Sequence, residues 1–356
     1  IDDLKISLKA NRNYSENYSE NFIVTDNQYN SLSPNSFGNF EISTILIKTS
    51  FSKSNENYSE TFKSFQENRL VIAQRLAALN GDTSGNVDEF GFPIGYGKNN
   101  QAVLIPSFLS AYSGKNVETI SLNAITNNPL PNWSINYSGL IKIDFFKERF
   151  KRFSLGHAYR SSYTLNNFKS NLEYDPLNAK LTDDSGNYIN EFLYTNINLV
   201  EQFNPLLKID MELNNSLQIV MSLKKDRALS LSLDNNLLTE SAGTDYSIGL
   251  GYRIKDLKFN SRVGGKQRVS KGDLNIKTDL NFRDNITIIR NLNIEDNKVT
   301  AGQKMWSLKT SADYNLSKSF NEIFFYDHLF SKFAISTAFP MTTIRAGMTL
   351  RYNFGE

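Results

Sequence analysis

His157 and His328 are the only histidines in the chain, and there is no cysteine. General acid–base or nucleophilic chemistry of the common kind would have to run through one of those imidazoles. His157 lies in Leu155, His157, Tyr159, Ser161 and Tyr163, which share one side of an alternating stretch. A Ser–His pair in a barrel hydrolase would need such a placement. Serine is so frequent here, however, that a serine near a histidine carries little information. No Gly-x-Ser-x-Gly, His-Glu-x-x-His or phosphate-binding glycine loop occurs. The missing cysteines also remove disulfide and thiolate–metal chemistry. Asp82-Thr83-Ser84-Gly85-Asn86-Val87-Asp88 sets oxygen ligands at alternate positions, as a calcium loop does. It lacks glycine at the sixth position, and Pro93 stands where the twelfth-position glutamate belongs, so a solvated loop is the simpler reading. Asp183 to Asn187 reads as a turn. The expectation is no catalytic residue, no metal ligand and no cofactor.

Charge and composition narrow the classes further. Thirty-nine Lys+Arg face 37 Asp+Glu, and a net charge of +2 gives no global pull towards nucleic acid or anionic membrane. Basic and aromatic residues interleave from Arg149 to Arg160, but with balanced charge no nucleic-acid partner is expected. The hydrophobic share is only 40%, yet there are 25 Phe and 17 Tyr. Such a chain is too aromatic to be disordered and too polar for an ordinary buried core. No segment approaches the roughly 18 consecutive apolar residues of a spanning helix. A β-barrel is still open, because its strands alternate. The opening Ile1-Asp2-Asp3-Leu4 has neither Met nor signal peptide, as expected after leader removal or inside a longer polypeptide.

The elements that must position any site are strands. Ile344, Ala346, Met348, Leu350, Tyr352 and Phe354 alternate with Thr343, Arg345, Gly347, Thr349, Arg351 and Asn353. Trp306 to Leu316, Tyr246 to Tyr252, Leu274 to Phe282 and Leu207 to Leu223 repeat the pattern, with joints such as Asn214-Asn215. The runs are about 9–13 residues long, the length of tilted membrane strands rather than the shorter strands of soluble sheets. Rings stand near their ends: Trp133, Tyr137, Trp306 and Tyr314, and also Tyr159, Tyr163, Tyr246 and Tyr252, as at membrane interfaces. Rings filling a soluble β core are the alternative. Tyr352 and Phe354 suit a C-terminal barrel signal. The fold class is therefore all-β, a transmembrane antiparallel β-barrel segment, part of a very large barrel, with insertions near 57–112 and 143–153. The division is 1–56 barrel strands, 57–112 helical cap and loop, and 113–356 C-terminal strands. The C-terminus and the turn at Ser317-Lys318-Ser319 are expected on the periplasmic side, the 329–341 loop outside.

Helical spacing occurs once at length. Phe62, Phe65, Ile72, Leu76 and Leu79 fall at 3/4 spacing between Asn57 and Gly81, with Arg69 interrupting the stripe. Asn57 is the expected N-cap and Gly81 the stop. A Gly/Pro-rich loop to Pro106 and a short helix over Ser107–Tyr112 should follow. The five apolar residues are candidates for a cap or partner-docking surface. Phe145, Phe146, Phe150 and Phe153 among Lys147, Arg149, Lys151 and Arg152 read as an amphipathic turn or a rim loop.

Asn128-Pro129-Leu130-Pro131-Asn132-Trp133-Ser134-Ile135-Asn136-Tyr137-Ser138-Gly139-Leu140 resembles one family. So do Ser59-Glu60-Thr61-Phe62, Gln74-Arg75-Leu76-Ala77, Val103 to Leu109, Leu229 to Leu233 and Ile248 to Arg253. The family is SprA, also called Sov: the giant outer-membrane translocons of type IX secretion and gliding motility. The similar stretches run from about residue 40 to the C-terminus. The resemblance implies the C-terminal portion of a protein-conducting channel in the outer membrane of a Gram-negative bacterium, passing folded cargo proteins. It implies as partners a shuttle-type outer-membrane barrel, a periplasmic plug protein, outer-membrane lipid and lipopolysaccharide, and the remainder of the same large polypeptide. It carries no catalytic residues. The alternatives are a self-contained porin-like channel for small solutes, a barrel hydrolase and a soluble surface adhesin.

Overall fold

The computed structural model describes residues 3–32, 34–82, 85–263, 266–294, 296–315, 320–335, 339–352 and 354. The expected turn at Ser317-Lys318-Ser319, part of the 329–341 loop, and Thr83 and Ser84 of the 82–88 loop lie outside them. In chain order come β1 Leu4–Lys9, β2 Arg12–Ser19, β3 Phe22–Thr25, β4 Gln28–Ser31 and β5 Asn35–Ser43. Helices α1 Glu60–Leu79 and α2 Gln101–Ser113 follow, then β6 Asn132–Tyr137 and the single turn α3 Asp144–Lys147. The remainder is strand: β7 Phe150–Ser170, β8 Phe192–Leu193, β9 Asn196–Leu213, β10 Leu217–Ser232, β11 Leu237–Val263, β12 Lys266–Asn291, β13 Asn297–Asn315, β14 Phe320–Phe333 and β15 Met341–Tyr352.

The ladder runs β1-β6-β7-β9-β10-β11-β12-β13-β14-β15, and every pairing is antiparallel. β5 flanks β7 beyond β6, with β2 outside it, so β1 and β2 together form one edge. β15 forms the other. Among the described residues no ladder joins the two edges, so the sheet is open. The all-β antiparallel reading holds in that form. Strands reach 27 residues in β11 and 26 in β12, far beyond the roughly 5–6 of common sheets. Asparagine and aspartate have a physical use at turns and irregular points within strands. Among the described residues five of the six non-glycine positions with positive φ are Asp26, Asn27, Asn167, Asn236 and Asp256, the residue types that tolerate the left-handed region.

Period-2 alternation gives the sheet two unlike faces. Leu4, Tyr137, Leu155, Ile209, Met221, Ile248, Leu280, Leu308, His328 and Ile344 stand opposite one another on one face across all ten strands. The other face carries Asp210, Asp245, Asp279, Arg283, Lys309, Asp327 and Arg345.

Helices α1 and α2 pack on the apolar face at one end of β7 and β9–β12. Their shared core joins Phe62, Phe65, Leu104, Phe108 and Tyr112 to Leu165, Ile197, Leu199, Leu229, Leu231 and Leu238 of the sheet. Full burial of each such side chain contributes about 1.5–3 kcal/mol. Two boundaries differ from the sequence expectation. The N-cap of α1 is Ser59, whose hydroxyl accepts from Phe62 N at 3.3 Å. Asn57 is held instead in a turn by the side chain of Asn55. α2 starts at Gln101, with Asn100 as cap and Pro106 inside. The helix is buried on nearly all sides, so it has no 3.6-residue stripe for a sequence to reveal. Gly81 stands at φ +66, ending α1 as expected.

Candidate functional site: a two-faced wall and its clamped cap

The polar face carries charges of both signs. In β12–β15 one row reads Asp279, Lys309, Asp327, Arg345, with signs alternating from strand to strand. Arg345 reaches Asp327 at 3.0 Å, Arg283 reaches Asp245 at 3.3 Å and Arg152 reaches Asp210 at 2.9 Å. Such exposed pairs contribute about 0–1 kcal/mol each. Their effect is to present a wettable surface with charges of both signs.

The apolar face is bordered by rings. Tyr246, Phe282, Trp306 and Phe330 lie opposite one another on β11–β14, with Tyr246–Phe282 centroids 6.1 Å apart and Trp306–Phe330 6.0 Å. Trp133, Tyr159 and Phe203 continue the border one step higher on β6, β7 and β9, Trp133 stacked on Tyr159 at 4.5 Å and Tyr159 tilted against Phe203 at 4.9 Å. Tyr314 stands eight positions along β13 from Trp306 of this border, about 26 Å along the strand. Ile248, Leu250, Leu280, Ile344, Met348 and Leu350 in the band are exposed.

Above the ring border the same face turns polar, then apolar again beneath the cap. The polar step is a clamp. Segment 44–56 crosses the sheet under α1 and α2, and four buried charges of the strands hold it. Glu201 pairs with Arg227 at 3.0 Å and accepts from Ser50 Oγ at 2.6 Å and Tyr159 OH at 2.8 Å. Arg227 donates to Thr49 O and Thr49 Oγ1, both at 3.0 Å. Glu240 pairs with Arg290 at 3.0 Å and accepts from Ser54 Oγ at 2.9 Å. Arg290 also donates to Ser54 Oγ at 3.0 Å and Asn55 O at 2.8 Å, and its guanidinium sits 5.6 Å from the Phe62 ring centre. Arg69 explains its place in the helical stripe: it is buried and donates to Leu292 O at the end of β12. Burial lowers its pKa, and burial raises the pKa of Tyr112 and of Tyr194, the latter to about 12.

The residues singled out from sequence separate into distinct places. Phe62, Phe65 and Ile72 are buried inside the cap, Leu76 is partly covered, and Leu79 is 74% exposed. Three of the five are thus occupied by internal packing. Trp133 and Trp306 lie on the ring border, and Tyr137 lies mid-band. Tyr314 is at the opposite limit of the band, its hydroxyl donating to Leu257 O at 3.1 Å. Tyr163 is under the cap and donates to Ala124 O at 2.9 Å. Tyr352 and Phe354 meet edge to face at 4.7 Å, with Phe354 94% exposed. In the 143–153 region Phe146 gathers Phe145, Phe150 and Phe153 within 5.9 Å, and β7 already begins at Phe150. His157 Nδ1 lies 2.7 Å from Leu206 O, and His328 packs on Trp306 at 4.7 Å. Neither ring has a hydroxyl partner among the described residues. Asp88 of the 82–88 loop accepts from Phe90 N and Phe92 N, which closes a turn.

Glu201, Arg227, Glu240 and Arg290 escaped the sequence reading. Their signal was there: each is a charge on the apolar side of an alternating run, as in Leu199-x-Glu201-x-Phe203 and Arg227-x-Leu229-x-Leu231. No family model and no curated protein matches this chain.

Proposed function

We propose that the chain forms part of the wall of a protein-conducting channel in the outer membrane of a Gram-negative bacterium, passing folded cargo in type IX secretion. The observation that carries this is the largely apolar band that crosses ten strands, with His328 in its central row, bordered by rings and backed by a polar face with charges of both signs. The band meets lipid and the polar face lines water. A wide lumen needs more strands than ten, and both edges of this sheet are free to extend. The secretion role, the cargo, the shuttle barrel and the plug protein come from the resemblance of Asn128–Leu140 and its companion stretches. Lipopolysaccharide and lipid are the partners of the band and ring border.

A self-closed porin is the second reading. One observation favours it: the path has an even number of strands, and β1 and β15 run antiparallel, so closure is topologically open to it. Reconstitution separates the two. The chain is mixed with lipid vesicles and floated on a density gradient, and ion conductance is recorded in parallel. The translocon reading expects flotation without a discrete small pore from this chain alone. A defined porin-sized conductance would support self-closure, and failure to float would end both. Detergent purification of the full-length polypeptide with mass spectrometry of its partners then tests the secretion role.

A further inference from the structure

We infer that the β15 edge accepts an antiparallel strand of different sequence that carries carboxylates on its polar side, and refuses the β1–β2 edge of its own or a second copy. This deepens the reading of the sheet as part of a wider wall. Residues Met341 to Tyr352 pair with β14 alone, and β15 is exposed along its whole length. Its outer backbone groups therefore form a template for strand addition.

Charge decides which strand. The polar side of β15 is Thr343, Arg345, Gly347, Thr349 and Arg351, and the strand contains no carboxylate. Arg345 ends the alternating row Asp279, Lys309, Asp327, Arg345, so the next position in that alternation is negative. Arg351 lies opposite Asn321 and has no ion-pair partner among the described residues. The β1–β2 edge offers Lys5 and Lys9 and otherwise Ser and Asn on its polar side. Within β1 and β2 the one carboxylate, Glu16, shares the opposite side with Tyr14, whose hydroxyl donates to it at 2.6 Å, and Asp3, just before β1, is held by Lys142. A one-residue slip would put Glu16 on the polar side only by turning Leu4, Ile6 and Leu8 there too. Registers that pair the whole of β1 thus set Lys9 against Arg345, Lys5 against Arg351, or cations against neutral groups. Asp3 meets Arg351 only where Lys9 meets Arg345, and meets Arg345 only where less than half of β15 is paired. Two β15 edges from separate copies meet the same obstacle. Like charges directly opposite across a ladder destabilise it, and opposite charges favour it. The fitting occupant has apolar residues at alternate positions and two carboxylates six residues apart.

The test uses the whole chain in detergent with a Thr349→Cys substitution, which is its single thiol because the chain has no cysteine. The probes are two synthetic twelve-residue peptides of alternating leucine and polar residues, each with one central cysteine. One carries glutamates and the other lysines at the positions facing Arg345 and Arg351. Disulfide yield in a glutathione buffer should favour the acidic peptide by about three- to tenfold. The additional pair Arg345→Glu and Arg351→Glu should invert that preference, a readout that differs from simple loss of folding. Equal capture of both peptides, or a preference unmoved by the charge swap, would overturn the inference. So would spin labels at Ser7→Cys and Thr349→Cys reporting one strand spacing, about 5 Å between backbones, because that is self-closure. The vesicle assay is independent. A chain that fails to float yet selects the acidic peptide removes the membrane reading alone. A chain that floats without charge selection removes the edge inference alone.

Discussion

Replacing Arg290 with methionine should release the cap while leaving the rest of the sheet intact. The Arg290 side chain is 0% exposed and pairs with a Glu240 side chain that is 5% exposed. Its removal leaves Glu240 with Ser54 Oγ as its one side-chain hydrogen-bond partner among the described residues, and Asn55 O loses the Arg290 donor. Deleting one member of a buried pair costs about 3–5 kcal/mol, chiefly because the remaining charge stays desolvated. Taken as local opening of the cap, that is between about a hundredfold and a few thousandfold faster amide exchange in α1 and α2. Hydrogen–deuterium exchange with peptide resolution reads it directly, and β13–β15 serve as the internal reference. The double variant Glu240→Leu/Arg290→Met removes both charges and should recover at least half of the loss, since two apolar side chains tolerate the site. Wild-type exchange in the single variant would refute the clamp. A double variant as open as the single one would show that packing, and not the uncompensated charge, holds the segment.

On the apolar band, Leu280→Arg should weaken insertion into vesicles by about 2–4 kcal/mol, whereas the neighbouring Asn281→Arg on the polar face should have little effect; equal behaviour in a urea-dependent folding titration would contradict the lipid-facing assignment. A Cβ at Gly347 would lie 2.7 Å from the Phe325 ring, so Gly347→Val should cost about 1–3 kcal/mol in the same titration, and Phe325→Ala should relieve part of it. Alkaline pH should loosen the cap. Tyr194 has a folded pKa of about 12, raised mainly by burial, against roughly 10 in an unfolded chain. Its contribution is therefore intact below pH 10 and lost as pH rises from 10 to 12, with Tyr112 acting in the same sense. Tyrosinate absorbance followed beside protease sensitivity should show both changes in that window, and Tyr194→Phe should move the midpoint upwards. Deleting 57–106 should produce aggregation, because it bares Leu165, Ile197, Leu199, Leu229, Leu231 and Leu238; solution scattering of the purified chain checks this.

Alternation made the strands and their faces legible. Ile344 to Tyr352 and Trp306 to Tyr314 lie on one face as their spacing required, and Asn214-Asn215 is the turn it resembled. The limits of that signal are physical. The period-2 alternation of β7 runs on in phase from Leu155 in the open band to Leu165 beneath the cap, with His157 and Ser161 on the same side. Period 2 therefore cannot tell a residue facing solvent or lipid from one facing a helix, which is why Tyr163 reads like a border ring. The buried α2 shows no helical stripe, and Pro106 disguises it further. Ser54 and Asn55 meet Arg290 across more than 230 positions, a contact that no local pattern encodes. The clamp charges were visible as exceptions to alternation, but their partners were not.

The cap and the apolar band share one face, and that has a consequence for gating. α1 and α2 stand on the side opposite Asp245, Asp279 and Arg345, so in a closed wall they sit outside the polar lining. To act as a gate the unit would have to leave its seat. Freeing only Phe65, Leu104, Phe108 and Tyr112 forfeits about 6–12 kcal/mol of burial, before the two ion pairs are opened. Switching a two-state equilibrium almost completely takes a differential affinity of about 5.5 kcal/mol. An effector would need roughly twice that or more to lift this cap. The physical reading is a fixed buttress that stiffens the ends of β7 and β9–β12 and leaves the polar face uncovered. On the proposed function, control of passage falls to strands or chains meeting the free edges, and the inferred role of Arg345 and Arg351 is to select their charge.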